Sequence, residues 1–240
     1  MKKYIWILFV FLSFSVYADT NKCINFKKDY THYNNENMYD LDAYLTDCHQ
    51  KSKKIETFGY FGDSPKVNYY FFQKIDGVNR LFISTYVLTD QYEENPKYVY
   101  EDGKYNFMKV FDCYDFACKA NKKMTDFFGD GANLVEVKSY KTMWKYPYSV
   151  VNDVQKELNS NFFKNWWSNQ LKSGVVKNKT EIYKEAGLNS EKAGYLISGD
   201  KFSISGVYSR WLNISYVNKN HKTTTGWIRC EDTNICSWFL

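Results

Sequence analysis

An α+β N-terminal domain with an antiparallel sheet, followed by a small all-β barrel, is the fold class that three features of the 240-residue sequence predict. The first is a series of aromatic and β-branched runs separated by turn signals, Asp76-Gly77 being the strongest. The second is a change to four-residue spacing between Val150 and Leu171, which is the period of a helix. The third is a set of short, evenly spaced runs from Thr180 to the end, the pattern of small barrels.

Taken in order, the chain begins with Lys2 and Lys3, an apolar stretch from Tyr4 to about Phe14, and Val16-Tyr17-Ala18 before Asp19. This is the layout of a cleavable export signal over residues 1–18. The apolar run falls short of the ~20 residues a membrane span requires, so no stable membrane insertion is expected after cleavage. Export places the protein in the periplasm or outside the cell, in soluble form. From Asp19 to about Ser52 the sequence is polar, and Met38, Leu41, Tyr44, Leu45 and Cys48 recur at steps that predict a weak helix. Strands are then expected over Ile55 to Phe61, Lys66 to Ile75 and Arg80 to Leu88, and a hairpin joining Tyr98–Tyr100 to Tyr105–Phe111. Cys113 to Phe128 reads as helix-like and Leu134 to Tyr140 as a strand. Val154, Leu158, Phe162 and Trp166 define one continuous helix, packed on the preceding sheet. Lys177-Asn178-Lys179 looks like a linker, which divides the mature chain into residues 19–174 and 177–240.

Six cysteines, Cys23, Cys48, Cys113, Cys118, Cys230 and Cys236, all follow the signal, and an even count in an exported chain implies disulfides. Proximity favours Cys23 with Cys48, Cys113 with Cys118 and Cys230 with Cys236, among the fifteen pairings that six cysteines allow. Their spacings match no zinc motif, and only three histidines are present, so no metal and no cofactor are expected. Without Lys2 and Lys3, thirty basic residues face 27 acidic ones with both signs scattered, which argues against a nucleic-acid partner.

The C-terminal part resembles the bacterial SH3 family, SH3b. The residues that carry the resemblance are Ile182-Tyr183-Lys184, the run from Gly194 to Phe202, Trp211 to Tyr216, and Gly226-Trp227-Ile228. The resemblance covers residues 177–240 and implies an SH3b-like barrel that binds a cell-wall peptide or a protein. Cys230 and Cys236 depart from the plain family pattern and would staple the tail. Leu212, Ile214 and Tyr216 alternate as residues facing a barrel interior do, and Gly199 and Gly226 fall where a Cβ would oppose a tight turn or close approach. Trp211 and Trp227 either line a groove or fill the core, and a domain this small favours the core for both. Because such barrels expose strand ends and the loop from Ser205 to Arg210, the ligand-binding candidates are Tyr183, Tyr195, Tyr208 and Trp211. The resemblance points to a bacterial protein, so no modification is read from the formal glycosylation sites Asn178-Lys179-Thr180 and Asn213-Ile214-Ser215.

No nucleophile elbow, H-E-x-x-H helix or phosphate-binding glycine loop is present, and Cys48-His49 is the only adjacent thiol and imidazole. Glu93-Glu94 and the Asp40, Asp42 pair lie in polar stretches and read as solvated. The expected function is therefore non-enzymatic: recognition of a peptidoglycan peptide or a protein partner. An immunity protein against a toxin delivered to the periplasm is the alternative, and an unrecognised cell-wall hydrolase the less favoured one.

Overall fold

The computed structural model describes residues 23–35, 37–47, 51–89, 97–115 and 117–236. The export signal, Cys48, His49, Glu93 and Glu94 lie outside the described residues. Among the described residues four antiparallel sheets dominate the fold. The first joins β1 (Cys23–Asp29), β2 (Asp40–Thr46) and β3 (Ser52–Phe58) in sequence order. The second runs β4 (Lys66–Ile75), β5 (Val78–Leu88), β7 (Lys104–Tyr114), β8 (Ala117–Ala120). A small third sheet places β9 (Leu134–Glu136) between β6 (Tyr98–Tyr100) and β10 (Thr142–Trp144). Helix α1 (Lys122–Phe128) lies between β8 and β9 in the chain, and α2 (Val151–Asn159) and α3 (Asn161–Trp167) lie between β10 and the C-terminal strands. Those strands are β11 (Ser173–Val175), β12 (Thr180–Tyr183), β13 (Lys192–Leu196), β14 (Lys201–Tyr208), β15 (Trp211–Val217) and β16 (Thr223–Arg229), and a 3₁₀ turn follows over Cys230–Asp232.

The strongest local signal forms as expected. Asp76 and Gly77 both take positive φ (49° and 79°) and close a two-residue turn between the paired Ile75 and Val78. Beyond it, β5 is buried along most of its length, because both faces of its sheet are covered. Leu81 and Ile83 face one cluster, shared with Phe111, Leu41, Ala43, Leu45 and Phe58. Phe82 faces the other, shared with Met108, Val110, the three helices and the C-terminal sheet. A strand covered on both faces reads as a near-continuous apolar run, as Leu81-Phe82-Ile83 does.

Several expected elements differ. The helix expected over Met38 to Cys48 is strand β2, whose buried Leu41, Ala43 and Leu45 alternate at period two. The same residues satisfied both periods, and pairing with β1 and β3 decided between them. β6 does not form a hairpin with β7: one edge of β7 is taken by β5 from Leu88 to Asn79, and β6 pairs with β9 instead. The helix-like segment from Cys113 is the end of β7 and then β8, with α1 only from Lys122; the side chain of Asn121 caps α1 by accepting from the Met124 N–H at 3.0 Å. The strand from Leu134 stops at Glu136. The long helix is two helices, because Ser160 is extended (φ −70°, ψ 153°) and turns its hydroxyl to the Phe163 N–H, restarting the helix.

The five C-terminal strands form where expected, but the sheet does not close into a barrel. Its order is β11-β14-β15-β16-β12-β13, and the outer edge of β14, which closure would need, is occupied by β11. The expected exposed loop from Ser205 to Arg210 is instead strand followed by a buried two-residue turn. The Lys177 and Asn178 N–H groups both donate to the Asp232 carbonyl, so this stretch is tied to the C-terminal turn. Disulfides join Cys113 with Cys118, which face each other across β7 and β8, and Cys230 with Cys236. The Cys23 and Cys48 pairing lies partly outside the described residues.

Gly226 lets β16 cross β12. With φ at +154°, a Cβ there would sit 2.5 Å from the Tyr183 carbonyl oxygen and 2.6 Å from the Ile182 side chain. Backbone cannot give way as a flexible side chain can, so Gly226→Ala is expected to lower stability by about 2 to 3 kcal/mol. Urea unfolding of the variant measures this.

Candidate functional site

A cleft of about 400 Å³ opens where the third sheet meets the C-terminal sheet. One side is formed by Tyr100, Tyr105, Leu134 and Trp144, the other by the loop from Glu185 to Ser190 and the β14–β15 turn carrying Tyr208, Ser209 and Trp211. Asp130 and Gly131 close the floor. The walls are aromatic for a packing reason: Tyr98, Leu134, Trp144, Tyr183, Leu188 and Trp211 form a core of their own, and the cleft is cut into its edge. Trp144 and Trp211 lie 5.3 Å apart and Tyr183 meets Trp211 edge-on at 5.4 Å, within the range of favourable ring pairs.

The floor depends on backbone that few residues can adopt. Gly129 ends α1 with φ 55° and ψ −168°, and a Cβ there would come within 2.9 Å of the Tyr208 ring. The absence of that Cβ lets Tyr208 lie across the helix end, where its hydroxyl accepts from the Asp130 N–H at 3.1 Å. Tyr146 is held beneath by donating to the Gly129 carbonyl at 2.9 Å. Burial pushes the Asp130 carboxyl above its usual range, partly opposed by the Tyr208 hydroxyl and the Met108 N–H. Burial also raises Tyr208 and Tyr146, and pushes Tyr105 up to about 12.

The turn beside the floor is unusual in composition. Ser209 and Arg210 occupy the two central positions with φ 45° and 64°, where Asn-Gly or Asp-Gly is the common solution. Arg210 is held by Glu231 at 2.8 Å and by Glu157 of α2 at 2.9 Å, all three side chains being buried. Tyr148 donates to the same Glu157 at 3.0 Å, and the Ser209 N–H donates to the Phe127 carbonyl at the end of α1.

Of the four expected ligand residues, Tyr208 and Trp211 line the cleft. Tyr183 is buried behind Trp211 rather than facing the opening. Tyr195 stands apart, 59% exposed, with the Lys179 ammonium 4.6 Å from its ring. Trp211 is core-buried at 3%, as its competing reading expected, whereas Trp227 is only half-buried against the same cluster. Asp40 and Asp42 are tied into local structure, Asp40 by the Tyr33 hydroxyl and Tyr60 N–H and Asp42 by Lys54 and Thr57. Sequence reasoning missed Asp130, Tyr100, Tyr105 and Trp144. The Gly129-Asp130-Gly131 run directly after Phe127-Phe128 was a legible sign of backbone approached closely by rings. Among the described residues, no group of three His, Cys, Asp or Glu side chains is assembled that could hold a metal ion.

Comparison with protein-family models, curated proteins and solved structures finds no match to this chain.

The buried phenols give the site a defined alkaline limit. Tyr69, Tyr105, Tyr146, Tyr148 and Tyr208 all have folded pKa values raised by burial. The stability they contribute is complete below the unfolded value near 10 and is lost as pH rises toward the folded values. Absorbance at the tyrosinate wavelength is therefore expected to show this buried set ionising only together with unfolding. Ionisation of these five phenols with the fold intact would contradict this.

Proposed function

We propose that the protein is a non-enzymatic binding protein of the cell envelope, exported to the periplasm or beyond, whose cleft takes a cell-wall peptide. The observation that carries the reading is the aromatic cleft itself, framed jointly by the third sheet and by the C-terminal sheet that we read as SH3b-like. Rigid rings offer large contact area at little entropic cost, and a cleft of about 400 Å³ is within the size range of specific ligand sites. The export reading is supported by the Cys113–Cys118 and Cys230–Cys236 disulfides, which persist in oxidising compartments. Among the described residues no helix is long and apolar enough to cross a membrane.

The test is sedimentation of the purified protein with isolated peptidoglycan. Trp211 is unsuited as a probe, because removing a buried Trp costs about 3 to 5 kcal/mol of stability by itself. Tyr100 is half-buried on the cleft wall, so Tyr100→Ala is expected to weaken binding by at least about tenfold while the melting temperature changes little. Tyr195→Ala, away from the cleft, is expected to bind within about a factor of two of the parent protein. Failure to sediment, or a loss confined to Tyr195→Ala, would overturn the assignment.

A further inference from the structure

The charge of the cleft runs against that of the molecule. The chain as a whole has a formal net charge of +5, yet among the described residues the only charged side chains lining the cleft are Asp130 and Glu185, both acidic. Glu185 sits exposed on the rim loop, and Asp130 lies half-buried at the floor. Lys109, whose charge acts on Asp130, is paired with Glu56 at 3.6 Å and is not among the residues lining the cleft.

A second observation concerns hydrogen bonding. Ser209 is one of the residues lining the cleft, is only 2% exposed, and its shielded Oγ has no hydrogen-bond partner among the described residues. A buried hydroxyl without a partner costs on the order of 1 to 3 kcal/mol, so native structures rarely leave one without a role. Its backbone is meanwhile fixed by the bond to the Phe127 carbonyl, which keeps the residue beside the end of α1.

The rings supply the third. Aromatic faces attract cations within about 6 Å of the ring centre. This chain places its own cations on rings elsewhere, as where Lys123 lies 4.9 and 4.7 Å from Trp166 and Trp167. Among the described residues, no such cation is recorded over Tyr105, Trp144, Tyr208 or Trp211.

We propose that the cleft receives an aliphatic primary ammonium group carried by the bound peptide, with Asp130 as its counter-charge, Ser209 Oγ as an additional acceptor and the aromatic rings as its wall. An ammonium carries three donors and no acceptor, which matches a carboxylate and a hydroxyl lacking a partner. A charge-assisted bond to a half-buried carboxylate is stronger than a neutral one, and an arriving cation offsets the desolvation that burial imposes on Asp130. The inference rests on the reading of the cleft as a peptide site and specifies what part of the peptide enters it.

The experiment titrates the full mature protein with Nα-acetyl-lysine amide and with its uncharged Nε-acetylated analogue, read by tryptophan fluorescence. The charged probe is expected to bind at least about tenfold more tightly than the neutral one. Asp130→Asn is expected to abolish that preference, and Ser209→Ala to weaken the charged probe by about threefold or more without lowering the melting temperature. Equal affinity for the two probes would overturn the proposal on the parent protein alone, whatever the fate of the variants. So would a preference that survives Asp130→Asn. Discrimination between the probes without sedimentation on peptidoglycan would retain the ammonium site and remove the wall peptide as its source. Sedimentation without discrimination would do the reverse.

Discussion

Arg210 lies almost out of reach of water between two carboxylates, and the meeting of the N-terminal and C-terminal parts of the molecule depends on it. Its guanidinium pairs with Glu157 on α2 and with Glu231 in the turn after β16, and its carbon centre stands 5.9 Å from the Phe162 ring on α3. Taking one cation and two anions out of water is expensive, and such a set is stable only when its members satisfy one another. Here Tyr148 and Ser160 supply further donors to Glu157. Glu231 is the weaker partner: burial raises its pKa despite the guanidinium, and Glu231 Oε2 has no hydrogen-bond partner among the described residues.

The same residue explains why the β14–β15 turn tolerates an unfavourable backbone. Two consecutive residues other than glycine at positive φ cost on the order of 1 to 3 kcal/mol each. Breaking a buried ion pair by removing one partner costs about 3 to 5 kcal/mol, a magnitude comparable with that strain, so the pairing opposes release of the turn. The turn in turn sets Tyr208 against Gly129 and Trp211 against Trp144, which are the contacts that shape the cleft. Sequence, turn, ion pair and cleft thus form one chain of dependence, in which a charged side chain fixes the placement of aromatic ones.

Much of the strand pattern was legible because it is local. The Asp76-Gly77 hairpin and the five C-terminal strands follow from turn chemistry and alternation that a single sequence displays. What failed was set by distant partners. Leu41, Ala43 and Leu45 fit a strand as well as a helix, and only pairing with β1 and β3 settles the matter. β6 looked like a partner for β7, but which edge is vacant is a property of the assembled sheet. Ser160 looked like one polar position on a long helix, and only its bond to the Phe163 N–H reveals a helix start. Of the residues lining the candidate cleft, Tyr208 and Trp211 were among those expected at a ligand site, whereas Tyr100, Tyr105, Asp130 and Trp144 join them only through tertiary packing. Arg210 carried no signal as a sequence feature, since a buried arginine is recognised by its partners, which stand 53 and 21 residues away.

The most direct measurement is the stability of Arg210→Gly, because the two effects of the substitution have opposite signs. Glycine at φ 64° relieves backbone strain, which alone would raise stability by about 1 kcal/mol. Loss of the guanidinium leaves Glu157 and Glu231 buried without their counter-ion, which alone would lower it by about 3 to 5 kcal/mol. If the ion pair holds the turn and the two parts of the fold together, the denaturant midpoint of Arg210→Gly falls and the fluorescence of Trp144 and Trp211 shifts toward that of exposed indole. A midpoint equal to or above that of the parent protein would contradict the account.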